Sequence, residues 1–302
     1  MLRWRLVSAA VILAALVLLL ALDWYLGDAR QPGLAALALA PMFVGVALVA
    51  SREMLSLLPP GHSRIRNWSV YLGVALVIVA PYGPMVLAPQ SDGSSLAAPA
   101  WLLLALALAV GLVLGGAMLR FRAPGGVAIS VATAVFVVTY IGLLGSFLVQ
   151  LRLFGDNDRG IAALVSVIVV AKLSDVGAYL TGHLMGRHKM APLLSPGKTI
   201  EGAVGGIVFS CLASWLLFAW LIPWWTASNE TNTGAIAAIA FGAIVAATGM
   251  LGDLAISLLK RDAGQKDSSH LLPGLGGVLD VIDSILTAAP AGYACWALGL
   301  VG

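Results

Sequence analysis

Residues 6 to 22 of this chain are an almost unbroken run of Leu, Ala, Val and Ile, and comparable runs recur to the C-terminus. Each is close to the ~20 residues a helix needs to cross the hydrocarbon core of a bilayer. Lipid offers no hydrogen-bond partner to bare backbone, so such a chain can form only helices or a closed barrel. A barrel would alternate in segments of about ten residues, so the runs predict helices. Composition agrees: of 302 residues, 60% are hydrophobic and 10% charged, against roughly 25% charged in soluble domains. The expected fold class is an all-α, polytopic membrane protein. Arg3 and Arg5 precede the first run as in a signal peptide, but no small-residue cleavage pattern comes before Asp23-Trp24-Tyr25, and the run is read as a retained span.

Nine spans are expected at about 6–22, 33–50, 68–88, 100–119, 127–149, 161–181, 203–222, 234–258 and 278–300. Pro32-Gly33, Pro59-Pro60-Gly61, Asp92-Gly93, Pro124-Gly125-Gly126 and Ser195-Pro196-Gly197 punctuate them. With the N-terminus cytoplasmic, inside segments hold Arg3, Arg5, Arg52, Arg64, Arg66, Arg120, Arg122, Arg187, Lys189, Lys198, Lys260, Arg261 and Lys266. That is thirteen of the 17 basic residues, as the positive-inside rule requires. Arg30, Arg152 and Arg159 fall in outside loops, Lys172 lies within a span, and the C-terminus is expected outside. A net charge of +3 is too small to indicate a nucleic-acid surface. Cys211 and Cys295 sit in apolar runs as small hydrophobes. The Trp-rich stretch Trp215, Trp220, Trp224 and Trp225 reads as an interfacial belt.

Charge inside spans is costly, about 2.5–3.5 kcal/mol per group at the bilayer centre. Lys172, Asp175, Asp253, Asp280 and Asp283 lie in or at the ends of spans, all four acids towards the cytoplasmic side in this layout. Lys172, Asp175 and Tyr179 share one helix face, as do Asp253 with Ser257 and Asp280 with Asp283. Converging carboxylates repel unless a cation sits among them, and hard divalent cations prefer oxygen; Mg²⁺ is the expected ion. The plainer alternative has Lys172 neutralising Asp175, with Asp280 and Asp283 capping the last helix at its positive N-terminus.

Two loops add basic groups. Residues 182–202 include Gly186-Arg187-His188-Lys189 and Ser195-Pro196-Gly197-Lys198-Thr199-Ile200-Glu201-Gly202. Lys198-Thr199 after Pro-Gly resembles a phosphate-binding turn, although Pro192 stands where a Walker A loop needs glycine. Residues 259–277 carry Lys260, Arg261 and Lys266 beside glycine pivots, a set suited to an anionic ligand. His62, His183, His188 and His270 show no metal-ligand spacing and read as solvated.

The stretch Ser257-x-x-Lys260-Arg261-x4-Lys266-Asp267-x5-Pro273-Gly274-x-Gly276-Gly277-x-x-Asp280-x-x-Asp283 closely resembles the signature of phosphatidate cytidylyltransferases, also called CDP-diacylglycerol synthases. Asp175-x-x-Ala178-Tyr179, Gly186-Arg187 and Ser195-Pro196-x-Lys198-Thr199-x-Glu201-Gly202 resemble that family's second cytoplasmic block. The resemblance covers roughly residues 165–302 and implies a membrane-embedded, Mg²⁺-dependent, homodimeric enzyme of the bacterial inner membrane. Its reaction joins CTP and phosphatidate to give CDP-diacylglycerol and pyrophosphate at the cytoplasmic side. A second cation is left open. The division implied is five N-terminal spans in residues 1–160 and a catalytic region in 161–302. Asp253, Asp280 and Asp283 would hold the cation, with Ser257, Lys260 and Arg261 also catalytic. Lys198, Thr199, Ser195, Glu201, Lys266, Asp267, Arg187 and Asp175 would bind substrate. Two positions depart from the family: Leu275 stands where it has His, and Val281 where Arg follows the first acid. A transferase acting on another lipid phosphate or polyprenol, and a transporter, are the competing readings.

Overall fold

The computed structural model describes residues 2–29, 36–57, 67–87, 98–122, 125–226 and 233–302. Arg30, His62, Arg64, Arg66, Pro124 and the breakers near 32, 60 and 92 lie outside the described residues, as do the side chains of Arg3, Arg5 and Trp225.

Among the described residues, nine helices are long and apolar enough to span a bilayer. They are α1 (Val7–Gly27), α2 (Ala40–Leu57), α3 (Asn67–Val86), α4 (Pro99–Met118), α5 (Val127–Arg152), α6 (Asn157–Met185), α7 (Ile200–Trp224), α8 (Ala235–Asp262) and α9 (Val278–Ala297). The expected all-α polytopic membrane fold is the one observed. Four of the spans shift, with consequences for function. The second span begins at Ala40, with Pro41 in the first turn where its missing N–H costs nothing, and so it extends past residue 50 to include Glu53. The fifth reaches Arg152, while the sixth and eighth run one turn further, to Met185 and Asp262.

The chain packs as two compact units. One comprises Met1–Leu153 with Asp267–Val281, the other Phe154–Lys266 with Ile282–Gly302. In the first, α2 to α5 share a core that includes Val74, Val77, Val138 and Ile141. Along α1 only Asp23 is fully buried among residues 7–27, and polar contacts tie the helix down. Asp23 accepts from Arg152 Nε at 2.6 Å with both side chains sealed from solvent, and Ser8 Oγ donates to the Pro273 carbonyl at 3.1 Å. Arg152, expected in an outer loop, is a buried ion-pair partner instead: its helix continues three residues beyond the apolar run that marked it.

In the second unit, α6 and α7 approach closely enough that a Cβ on Gly205 would strike Thr181, and one on Gly177 would strike Phe209. Small residues are how membrane helices gain close packing where water supplies no drive. Ser210 Oγ donates to the Gly242 carbonyl at 2.8 Å, joining α7 to α8. Thr287 Oγ1 donates to the Thr248 carbonyl at 2.9 Å, and Trp296 Nε1 to Ser166 Oγ at 3.2 Å, holding the rest of α9 to α8 and α6.

Candidate active site

Between α6 and α7 the chain folds into an antiparallel hairpin of β1 (Lys189–Ala191) and β2 (Ser195–Thr199), pairing Lys189 with Thr199 and Ala191 with Ser195. Strand β2 thus occupies the segment expected to be a phosphate-binding turn. Thr199 ends it as the N-cap of α7: its backbone is extended and its Oγ1 accepts from Gly202 N–H at 3.1 Å. Glu201, in the first turn, accepts from the N–H groups of Arg187 and His188 and contacts His188 Nδ1 at 2.6 Å. These side chains fasten the hairpin to the helix start. Arg187 is exposed beside Glu201.

That hairpin closes a cavity of about 560 Å³ in the second unit, bounded by α6, the start of α7 and α8. Asp175, Ser195, Lys198, Thr199 and Asp253 all line it, so five of the expected residues are brought together. Lys198 Nζ lies 2.6 Å from Asp253 Oδ2. The ammonium nitrogen is shielded from solvent and ion-paired with Asp253 at the cavity wall, where it is in reach of an anion that enters the cavity. Lys189 adds a second positive side chain to the lining, and the Tyr179 and His183 rings stack there at 6.0 Å. Sequence reading passed over His183 as solvated; its position one turn after Tyr179 on one helix face was the available signal.

Deeper on α6, Lys172 Nζ donates to Asp175 Oδ2 at 2.9 Å and to Ser284 Oγ at 3.0 Å, while Ser284 Oγ donates to Asp175 Oδ2 at 2.9 Å. The neutralisation offered as the plainer reading of this pair is what the geometry contains. Asp283 is buried, 5% exposed, within electrostatic reach of Asp253, Lys172 and Asp175. Ser257 is buried one turn beyond Asp253 on α8, and Lys260 and Lys266 follow near the helix end. Arg261 is committed to main chain: Nε donates to the Leu194 carbonyl at 3.0 Å and Nη1 to that of Gln265 at 3.2 Å.

The first unit holds Asp280 in a separate setting. Leu272-Pro273-Gly274-Leu275 is a tight turn, with Leu275 N–H donating to the Leu272 carbonyl at 3.0 Å and Gly274 at φ 82°; Pro then Gly with positive φ is the type II pattern. Leu275, at the family's His position, serves here as a turn residue. Asp280 Oδ2 accepts from Gly277 N–H at 3.0 Å, from Ser268 N–H at 2.8 Å and from Ser268 Oγ at 2.9 Å. This is the reach-back bond of a capping box at the third helical position. Beside it stands Glu53 of α2, which sequence reading missed. Its carboxylate is 5% exposed and accepts from Val278 N–H at 3.0 Å, Leu279 N–H at 2.7 Å and Ser269 Oγ at 2.7 Å. Asp267 is exposed at the start of this segment. Val281, which replaces the family's Arg, presents no group able to pair with a phosphate.

Among the described residues no three His, Cys, Asp or Glu side chains are arranged to hold a metal ion. Mg²⁺ makes no such demand, since it keeps several waters and uses one or two carboxylates with substrate phosphates. Asp253 and Asp283, two carboxylates of one unit within electrostatic reach of each other, fit that requirement. Asp280 has one oxygen spent on three donors.

Nine helices long and apolar enough to span a bilayer among the described residues, and a cavity in the second unit lined by Asp175, Lys198 and Asp253, define a polytopic integral membrane protein with charged side chains at a cavity wall. The sequence profile of the cytidylyltransferase family matches residues 4–298, and the chain belongs to that family. It is 40% identical over 135 residues to the uncharacterized protein YnbB of Escherichia coli strain K12, covering 44% of this chain and 42% of that one. It is 38% identical over 138 residues to the phosphatidate cytidylyltransferase of Haemophilus influenzae, covering 45% and 46%. With the enzyme of the same name from Staphylococcus saprophyticus, identity is 34% over 153 residues, covering 51% and 54%. The chain spans about half the length of the relatives it matches.

Proposed function

We propose that this protein transfers a cytidylyl group from CTP to phosphatidate, forming CDP-diacylglycerol and pyrophosphate, at the cytoplasmic face of a bacterial inner membrane and as a homodimer. The observation that carries the reading is Lys198: a positive group shielded from water and ion-paired with Asp253 at the wall of a cavity of nucleotide-compatible size. Family membership and the names of two of the relatives above support the substrates, and the inward bias of basic residues supports the sidedness.

A lipid phosphate oxygen attacks the α-phosphorus of CTP. One P–O bond forms there while the bond to the β-phosphate bridging oxygen breaks, and that electron pair leaves with pyrophosphate. The demand on the protein is alignment of two anions and charge stabilisation. Lys198 turns its donors to phosphate oxygens, Lys189 adds charge, and Ser195 offers a hydroxyl at the same wall. Asp253 and Asp283 would hold Mg²⁺, which when bound supplies charge neutralisation at the phosphate oxygens. Asp280 orients the start of α9, and the resemblance assigns it to the reaction together with Ser257, Lys260, Arg261 and Lys266.

The test is incorporation of labelled CTP into a lipid-extractable product by purified protein supplied with phosphatidate and Mg²⁺. Polyprenyl phosphate and other lipid phosphates run in parallel, because Leu275 and Val281 depart from the family pattern. Product with phosphatidate, lost in Asp253→Asn, is the expected result; product only with another lipid phosphate, or none with any, overturns the assignment.

A further inference from the structure

We infer that Glu53, on the second helix, is a positioning residue that acts through Asp280 by fixing the first turn of α9. The inference rests on the cytidylyl-transfer reading above.

The first N–H groups of a helix have no partner within it, and here two carboxylates divide them. Glu53 takes Val278 and Leu279; Asp280 takes Gly277. Between the two carboxylates stands Ser268 Oγ, 3.1 Å from Glu53 Oε2 and 2.9 Å from Asp280 Oδ2. One hydroxyl carries one proton, so Ser268 binds whichever acid it faces and couples their orientations. The packing leaves no slack: a Cβ on Gly277 would strike Ser268 Oγ and Glu53 Oε2, and one on Gly276 would lie 2.7 Å from Asp280 Oδ2. Rotation of the Asp280 carboxylate is therefore set by a residue more than two hundred positions away.

A plain helix cap would explain the burial of Glu53 but not its link, through one serine, to an acid of the family signature. The two roles separate experimentally. Glu53→Gln keeps the shape and turns an NH₂ group towards N–H and O–H donors. We expect kcat per folded molecule to fall at least tenfold with KM for CTP within threefold. A cycle with Asp280→Glu should be non-additive, the double variant losing little beyond Asp280→Glu alone. Ser268→Ala, which removes only the linking hydroxyl, should give the same pattern and stands in if Glu53→Gln does not fold. Unchanged kcat in the folded variants, a change confined to melting temperature, or an additive cycle would overturn the inference while wild-type turnover leaves the functional reading intact. Wild type without product overturns that reading, and this inference with it.

Discussion

At the scale of single residues, Lys198 and Asp253 make the sharpest demands. Each neutralises the other, so Lys198→Met should leave the Asp253 carboxylate without this partner and deprive CTP of a donor. We expect kcat/KM for CTP to drop about a hundredfold, the usual scale for losing one preorganised stabilising group, measured by product formation against a matched Asp253→Asn variant. Equal activity in Lys198→Met and wild type would remove this lysine from the reaction. Chelation by EDTA should abolish turnover and added Mg²⁺ restore it, while restoration by monovalent salt alone would refute a divalent requirement. Asp253 was legible because a charge in an apolar run is expensive, and Lys198 because Lys-Thr after Pro-Gly resembles a phosphate-binding turn. Glu53 was not, since the second apolar run was drawn to end at residue 50 and the acid fell into an assumed loop. Arg261 was legible as a charge, whereas its main-chain acceptors, the carbonyls of Leu194 and Gln265, are contacts that no side-chain pattern encodes.

Among the elements, the α6–α7 pair carries the cavity, and its closeness depends on Gly205 against Thr181. Gly205→Leu should wedge the helices apart; the yield of monodisperse protein in detergent, read by fluorescence-detected size exclusion, should collapse, whereas Gly197→Ala, where nothing lies within 4 Å of the added atom, should express normally. Equal yields would show that the pair tolerates separation. All nine helices were visible as hydrophobic runs, because backbone satisfaction in lipid leaves few alternatives. The hairpin was not: strands of three and five residues are too short for an alternating pattern, and Ser-Pro-Gly reads as a turn. What makes Ser195–Thr199 a strand is the helix start behind it, where Thr199 and Glu201 fold the chain back. Sequence period does not record such an arrangement.

At the scale of the whole chain, the ion pair of Asp23 and Arg152 predicts a stability signature. Breaking a buried pair by removing one partner costs about 3–5 kcal/mol, so Arg152→Met should lower the unfolding midpoint in detergent strongly. Asp23→Leu combined with Arg152→Met should recover most of the loss; a double variant as unstable as the single would refute the pair as its source. Glu53 has a related consequence for how the protein is made. Its partners at residues 278 and 279 lie 225 and 226 positions further along, so that stretch must leave the ribosome before its carboxylate meets them. Until then the second span carries a carboxylate without the backbone N–H groups that later satisfy it.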